Sequence, residues 1–502
     1  MWFHIFIFGC CFQNVILELF TTYVNFEKYY QMEEELIALT DLIIQQEKII
    51  HGEDHHDFMN ISHLVDKAKE IHGKYAEDPE SFLFHPINTF HLSKRLAWNW
   101  KTAVKQIMET DTCVKALRVK LQNMDDNIPT DDQLSKIAVS ILNLDIFYNK
   151  TIDHLLSGEI SDTFPFEHLS LSDIVYIAKA AYDQEQYYYT ITWLNHVVQE
   201  MKTRHLQSLD DVYGKATIYN LLASGYFKMN HIEKAKEITD GILLFEPENE
   251  KAVRNRVYYS SVMAKAKPLN IEKPIPREQK QRLHNLICNR SLEKKQSNGK
   301  CLFFPLRNKI WYMKSDIKAE VIKNKPLIIV FHSLIDNKTA NALKYMGHEQ
   351  LMNVTTQYRY SYPRQSSALN DKTHWKWVPK LKEMFYSMDI SPMPPRNSKF
   401  NVMNIGLDGF VRQHTTEKTV LKPVGSFIVS LVNGSIGGEL VFPLSKIKIS
   451  LEKGDAVFYE EEIPFTICPV AYGTQWYGVQ YLFEGDYPKD VCPPQRKVKR
   501  GY

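Results

Sequence analysis

At 502 residues, with 44% hydrophobic and 24% charged side chains, the chain has an ordinary globular composition and enough length to bury two or three separate cores. Its 61 basic and 59 acidic residues leave a formal net charge of +2, and no basic block exists beyond the short Arg496–Arg500 tail, so charge gives no basis for nucleic-acid binding. Nothing approaches the roughly 18 consecutive apolar residues of a spanning helix, and no membrane span is expected.

The first residues, MWFHIFIFGCCFQNVILELF, hold no acidic group before Glu18 and include an apolar run from Ile5 to Cys11. They read as a secretory signal over 1–22; a buried N-terminal helix is the alternative, because His4 stands where Lys or Arg is usual. Five cysteines follow, Cys113, Cys288, Cys301, Cys468 and Cys492, and the odd count makes Cys113 the one left over from two sequence-local pairs. Six sequons, at Asn60, Asn149, Asn289, Asn337, Asn353 and Asn433, are compatible with an oxidising, glycosylating compartment.

Residues 23–160 read as a helical N-terminal region. Met32, Leu36, Leu39 and Ile43 keep the spacing of a coiled-coil seam, with Glu33 to Glu35 turned away. That seam predicts self-association, with packing on its own domain as the alternative. Residues 161–262 are helical again: AAYDQEQYYYTITWLNHVVQ is echoed by SGYFKMNHIEKAKEITDGIL, a tetratricopeptide-like pair of units. Tyr182, Tyr187, Tyr188, Tyr189, Trp193, Tyr219 and Tyr226 exceed what helix packing needs. Some are core, and two or three are expected to line a groove for a proline-rich peptide, whose preformed extended shape costs little entropy on binding.

A polar connector is expected over 263–310, where Lys265, Lys273 and Arg277 alternate with Pro268, Pro274 and Pro276. Over 311–502 the character changes. PLIIVFHS, KFNVMNIG, GSFIVSLV, GELVFP, GDAVFYE and TQWYGVQYLF are short, β-branched or aromatic, and separated by Gly, Asn, Asp and Pro. They predict an antiparallel sandwich or jelly roll behind the helices, an α+β multidomain chain.

In chain order, DPESFLFHPINTFHLSKRLAWNW, YYYTITW, FNVMNIGLDGFVRQH, GGELVFP, KGDAVFY and CPVAYGTQW resemble segments of the alpha subunits of collagen-type prolyl 4-hydroxylase. The resemblance implies a peptide-binding tetratricopeptide-like domain and a C-terminal double-stranded β-helix (jelly roll) of the 2-oxoglutarate/Fe(II) dioxygenase type. It further implies proline hydroxylation in collagen-like sequences in the endoplasmic reticulum lumen, with Fe(II), 2-oxoglutarate and ascorbate, and protein disulfide isomerase as beta subunit. The chain ends KRGY, so retention there is expected to come from a partner. The pairs Cys288–Cys301 and Cys468–Cys492 match family cysteines in order and approximate spacing and are expected as disulfides.

At the site itself the resemblance breaks. Non-haem Fe(II) oxygenases hold the metal with two His and one carboxylate. The first family ligand is matched by His414, but Thr416 occupies the carboxylate position and Phe465 the distal His position, and no histidine follows His414. The Lys that holds 2-oxoglutarate is matched by Gln480, expected to point inward, and no Lys or Arg lies between Lys453 and Lys489. A buried dianion lacking its counter-charge is expensive. Alone, His414 reads as a structural histidine. These departures predict a protein of the secretory pathway that binds proline-rich, procollagen-like peptides with hydroxylation lost or impaired; an enzyme active through an altered metal site is the alternative.

Overall fold

The computed structural model describes residues 22–51, 59–109, 119–122, 124, 127–148, 168–209, 213–263, 287–288, 300–304, 317–353, 364–369, 400–407, 423–460, 463 and 465–483. The expected signal segment therefore lies outside the described residues, as do Cys113 and Cys492. No helix among the described residues is long and apolar enough to cross a membrane.

The N-terminal region consists of α1 (Tyr23–His51), α2 (Met59–Lys74), α3 (Pro79–Leu83), α4 (Pro86–Lys94), a π-helical stretch (Arg95–Trp100), α5 (Lys101–Glu109) and α6 (Asp131–Tyr148). Proline in the first turn starts both α3 and α4, where the missing N–H is no loss. Asp78 caps α3 by accepting from Ser81 N at 3.2 Å. The cap of α4 is a histidine: His85 Nδ1 accepts from Ile87 N at 3.2 Å, which requires a neutral ring. Burial, and then the neighbouring His91, hold the His85 pKa down at about 3.

Glu33 does not face away from the seam, as its place in an acidic triplet suggested. It is buried, and its carboxylate accepts from Arg95 Nε and Nη2 at 2.8 Å and from Trp100 Nε1 at 2.9 Å, with His72 Nε2 also at 2.9 Å. The π-helical widening lets Arg95 and Trp100, five positions apart, reach the same carboxylate; around a 3.6-residue turn they would diverge. Burial alone would raise the Glu33 pKa, but Arg95 and His72 outweigh it and hold the group at about 2. The seam residues Leu36 and Ile43 are buried, and Met32 and Leu39 half-buried, all within the chain's own core.

The second helical region is an array: α7 (Leu171–Asp183), α8 (Tyr187–Thr203), α9 (Lys215–Lys228), α10 (Ile232–Phe245) and α11 (Glu250–Met263). Ser170 and Asp173 form a reciprocal capping box on α7. Asp173 also bonds Lys94 Nζ at 2.6 Å and His91 at 3.0 Å, fastening the array to α4. The repeat is visible in the turns. Glu185 after α7 and Asn230 after α9 both take the left-handed conformation, and Gln186 N and His231 N reach back to Ala181 O and Tyr226 O, the same closing bond in each unit. The two units therefore align one residue out of step with the sequence echo. Tyr182 corresponds to Phe227, not to Tyr226.

The third region is dominated by an antiparallel sheet. Its strands are β1 (Lys300–Phe304), β2 (Ile317–Asn324), β3 (Leu327–His332), β4 (Arg364–Leu369), β5 (Phe400–Ile405), β6 (Pro423–Ser430), β10 (Ala456–Glu460) and β13 (Gln475–Phe483), in the order β1-β2-β3-β10-β6-β13-β5-β4. Short strands β8 (Leu440–Phe442), β9 (Ile447–Ile449) and β11 (Thr466–Ile467) form a second sheet, while β7 (Ile436–Gly437) pairs with β12 (Val470–Tyr472). Alternation sends Ile428, Val457, Tyr477 and Val479 into a core shared with β8 and β11, and Phe427, Phe458 and Trp476 into the main core on the opposite face, with the helices. Gly478 is required where β13 crosses β5, since a Cβ there would meet the Phe400 ring at 2.4 Å.

This region begins earlier than the sequence indicated. Lys300–Phe304 pairs along its length with β2, and Ile287 and Cys288 are buried against Val441 and Cys468, so both segments of the expected connector belong to the β region. The cysteine pairing is corrected as well. Cys288 is bonded to Cys468, with Cα atoms 5.7 Å apart, and Cys301 is free and exposed on the outermost strand. The reason is burial: Cys288 and Cys468 share one apolar cluster, while Cys301 stands opposite Glu320 at the sheet edge. A link across 180 residues constrains the unfolded chain by about 5 kcal/mol on the chain-entropy account, more than either local pair would.

The N-terminal helices sit directly on the β region. Val24 N donates to Asn404 Oδ1 at 3.4 Å, Gly473 N donates to Phe84 O at 3.1 Å, and the Tyr148 hydroxyl donates to Pro469 O. Tyr472 lies with its ring centroid 6.2 Å from those of both Phe84 and His85.

Two outcomes follow for stability. Glu33→Gln leaves Arg95 uncompensated and is expected to lower unfolding free energy by roughly 3–5 kcal/mol in urea titrations at neutral pH. Because the folded-state pKa of His85 is depressed, its contribution is complete above pH 6.5 and is lost as pH falls toward about 3. His85→Asn, which keeps a capping acceptor without titrating, is expected to flatten the stability–pH curve across that window.

Candidate functional site

Two places concentrate unusual chemistry. The first is on the helical array, where Tyr182 from α7, Tyr187 from α8, Phe227 from α9 and Tyr258 and Tyr259 from α11 come together. Phe227 stacks on Tyr259 at 4.9 Å and meets Tyr258 at 5.5 Å, while Tyr182 packs edge-on against Tyr187 at 5.3 Å. Burial raises the pKa of both the Tyr182 and Tyr259 phenols, so they stay neutral. Lys228 Nζ stands 5.8 Å over the Tyr187 ring. Tyr258 is 54% exposed, which leaves an aromatic face open to a ligand.

The rings singled out from sequence do not converge on one groove. Trp193 is fully buried and Tyr189 nearly so; both are core. Tyr188 packs edge-on against Tyr189, Tyr219 against Phe245 at 6.1 Å, and the Tyr226 hydroxyl accepts from Asn195 Nδ2 at 3.1 Å. Tyr182 and Tyr187 alone join the open face. Phe227, Tyr258 and Tyr259 were missed, and the out-of-step repeat is the reason for the first: Phe227 holds the place assigned to Tyr226. A YY pair on the helix after LLFEPENEKA was the signal for the other two.

The second place is between the two sheets of the β region. Phe465 is half-buried there, its ring 4.9 Å from Tyr459 and 6.4 Å from Phe442. Glu460, a conceivable substitute ligand, is committed elsewhere: its Oε2 accepts from Leu327 N at 2.8 Å. His414 and Thr416 lie outside the described residues. Among the described residues, no cluster of three or more His, Cys, Asp or Glu side chains has metal-binding geometry.

Gln480 is buried, but not inward as expected. It shares the face of Trp476 and Leu482, which pack into the main core, and its Nε2 donates to Tyr481 O at 2.9 Å. The inward positions on β13 are those of Gln475, Tyr477, Val479 and Tyr481, because side chains alternate and Tyr477 and Val479 belong to the inner core. Gln475 is held on both sides, accepting from Ser435 Oγ at 2.8 Å and donating to Ser430 Oγ at 3.3 Å. The Tyr477 hydroxyl donates to Gly438 O at 2.6 Å. Both residues line a cleft of about 430 Å³, and no Lys or Arg is among its described lining residues.

Two family models match. Residues 22–162 match the N-terminal region of the prolyl 4-hydroxylase alpha subunit, and residues 171–265 match the prolyl 4-hydroxylase peptide-substrate-binding domain. Prolyl 4-hydroxylase subunit alpha-1 of Gallus gallus is 22% identical over 495 residues, covering 88% of this chain and 93% of that one. Subunit alpha-3 of Homo sapiens is 22% identical over 480 residues, covering 85% and 86%. Among solved structures, a viral collagen prolyl hydroxylase from Paramecium Bursaria Chlorella virus-1, in complex with 2OG, overlaps 32% of this chain and 96% of its own at 14% identity and a TM-score of 0.26, too slight a likeness to argue from. Two family models in register with two successive helical regions, and relatives aligned over most of their length, support the prolyl 4-hydroxylase alpha-subunit family for this chain.

Proposed function

We propose that the chain binds proline-rich, procollagen-like peptides on the aromatic face of its helical array and that its β region, a jelly roll of the 2-oxoglutarate/Fe(II) type, has lost hydroxylation. The observation that carries the first half is the exposed ring of Tyr258 beside half-buried Tyr182 and Phe227, over the buried Tyr259, on helices matched by a peptide-substrate-binding family model. Flat rings accept the faces of prolines in an extended helix, and neutral phenols can donate to its unpaired carbonyls.

The second half rests on Phe465. An Fe(II) site of this class needs an imidazole or carboxylate at that position, and the residue is instead an aromatic ring packed among Tyr459 and Phe442. Gln475, the inward polar residue of β13, is neutral and already paired with Ser430 and Ser435, so it offers no counter-charge to a carboxylate of 2-oxoglutarate. The described residues therefore do not fit Fe(II) and 2-oxoglutarate. Localisation to the endoplasmic reticulum lumen, pairing with protein disulfide isomerase and self-association through the N-terminal helices belong to the same proposal. Because Leu36 and Ile43 are buried within the chain, self-association there would use the exposed side of the helices and not the seam.

Decarboxylation of 2-oxoglutarate by the purified full chain, at saturating Fe(II) with a Pro-Pro-Gly repeat peptide, is expected to match that of His414→Ala. Turnover clearly above that variant would mean an altered but working metal site. In peptide titrations Tyr258→Ala is expected to weaken binding by about tenfold with unfolding unchanged. Trp193→Ala is expected to cost roughly 3–5 kcal/mol of stability, as a core truncation does.

A further inference from the structure

We propose that Asn433 carries an N-linked glycan that stands over the cleft containing Gln475 and Tyr477; this rests on the secretory reading above. Asn433-Gly434-Ser435 is a sequon on the turn that follows β6. Asn433 is exposed, and its Oδ1 accepts from Lys453 N, which fixes the amide plane. Among the described residues the amide nitrogen Nδ2 has no hydrogen-bond partner. Gly434 follows with φ +86°, so the turn carries no side chain at the position next to the attachment point.

The transfer itself is ordinary substitution at nitrogen. Nδ2 loses a proton and forms a bond to C1 of an oligosaccharide, and the bond from C1 to a lipid-linked pyrophosphate donor breaks, the pyrophosphate leaving with the electron pair. What distinguishes Asn433 from the other sequons among the described residues is its place. It lies on the ridge between two clefts, one of about 310 Å³ between Phe84 of the N-terminal helices and Lys453, the other the cleft of about 430 Å³ at Gln475. A bulky, solvated oligosaccharide rooted there occupies the approach to both. A polypeptide could not then reach the inward face of β13.

The test is glycopeptide mapping of the full chain made in secretory cells, once behind its own first residues and once behind a heterologous secretion signal. Behind the heterologous signal, sugar on Asn433 is expected; a bare Asn433 overturns the proposal, whether or not Asn60, Asn149, Asn289, Asn337 or Asn353 is occupied. If only the heterologous signal yields glycan, the site stands and the secretory reading of residues 1–22 falls. The capping role is read with Ser450→Cys in a Cys301→Ser background, since Ser450 lines the same cleft. Labelling at position 450 by a polymer-linked maleimide is expected to be several-fold slower in the glycosylated protein than in Asn433→Gln, while a small maleimide labels both alike. Equal polymer labelling would overturn the capping.

Discussion

An eight-stranded sheet has two faces, and both must be kept from water. In this protein the short strands β8, β9 and β11 cover one, and the helices cover the other. Alternation along each strand then assigns every residue to one core or the opposite one, so that Trp476 and Tyr477, adjacent in sequence, belong to different halves of the molecule. The contacts of Val24, Phe84 and Tyr148 with Asn404, Gly473 and Pro469 follow from this constraint, because the sheet face needs a cover and the N-terminal helices supply part of it.

Much of this was legible in the sequence. The six apolar segments singled out as strands lie in strands, because each is β-branched or aromatic and bounded by turn residues. Strands β1, β2 and β9 carry lysines and lack that signature, so pairing with neighbours, invisible locally, makes them strands. Long-range partners explain the other differences. Glu33 resembled a solvated acid until Arg95, 62 positions away, closed on it. Cys288 had a nearer candidate in Cys301, but burial joined it to Cys468.

The candidate sites show the same division. Tyr182 was identifiable as a ring beyond packing needs, yet a sequence echo one residue out of step credited Tyr226 with the place of Phe227. Gln480 was assigned to an inward face by its strand partners Trp476 and Leu482; which face was inward depended on β8 and β11, and parity alone cannot supply that. Phe465 was read from the motif that follows it; that its ring packs against Tyr459 depends on a strand partner the motif does not contain.

Phe465 and Gln475 both lie on the inner face, and the helix-bearing face is built from other residues of the same strands. Substitution on the inner side therefore leaves the joint between helices and sheet intact. In a chain of this architecture residues can change on one surface of the sheet while the other continues to seat the N-terminal helices, so the β region serves as a buttress whatever stands on its inner face.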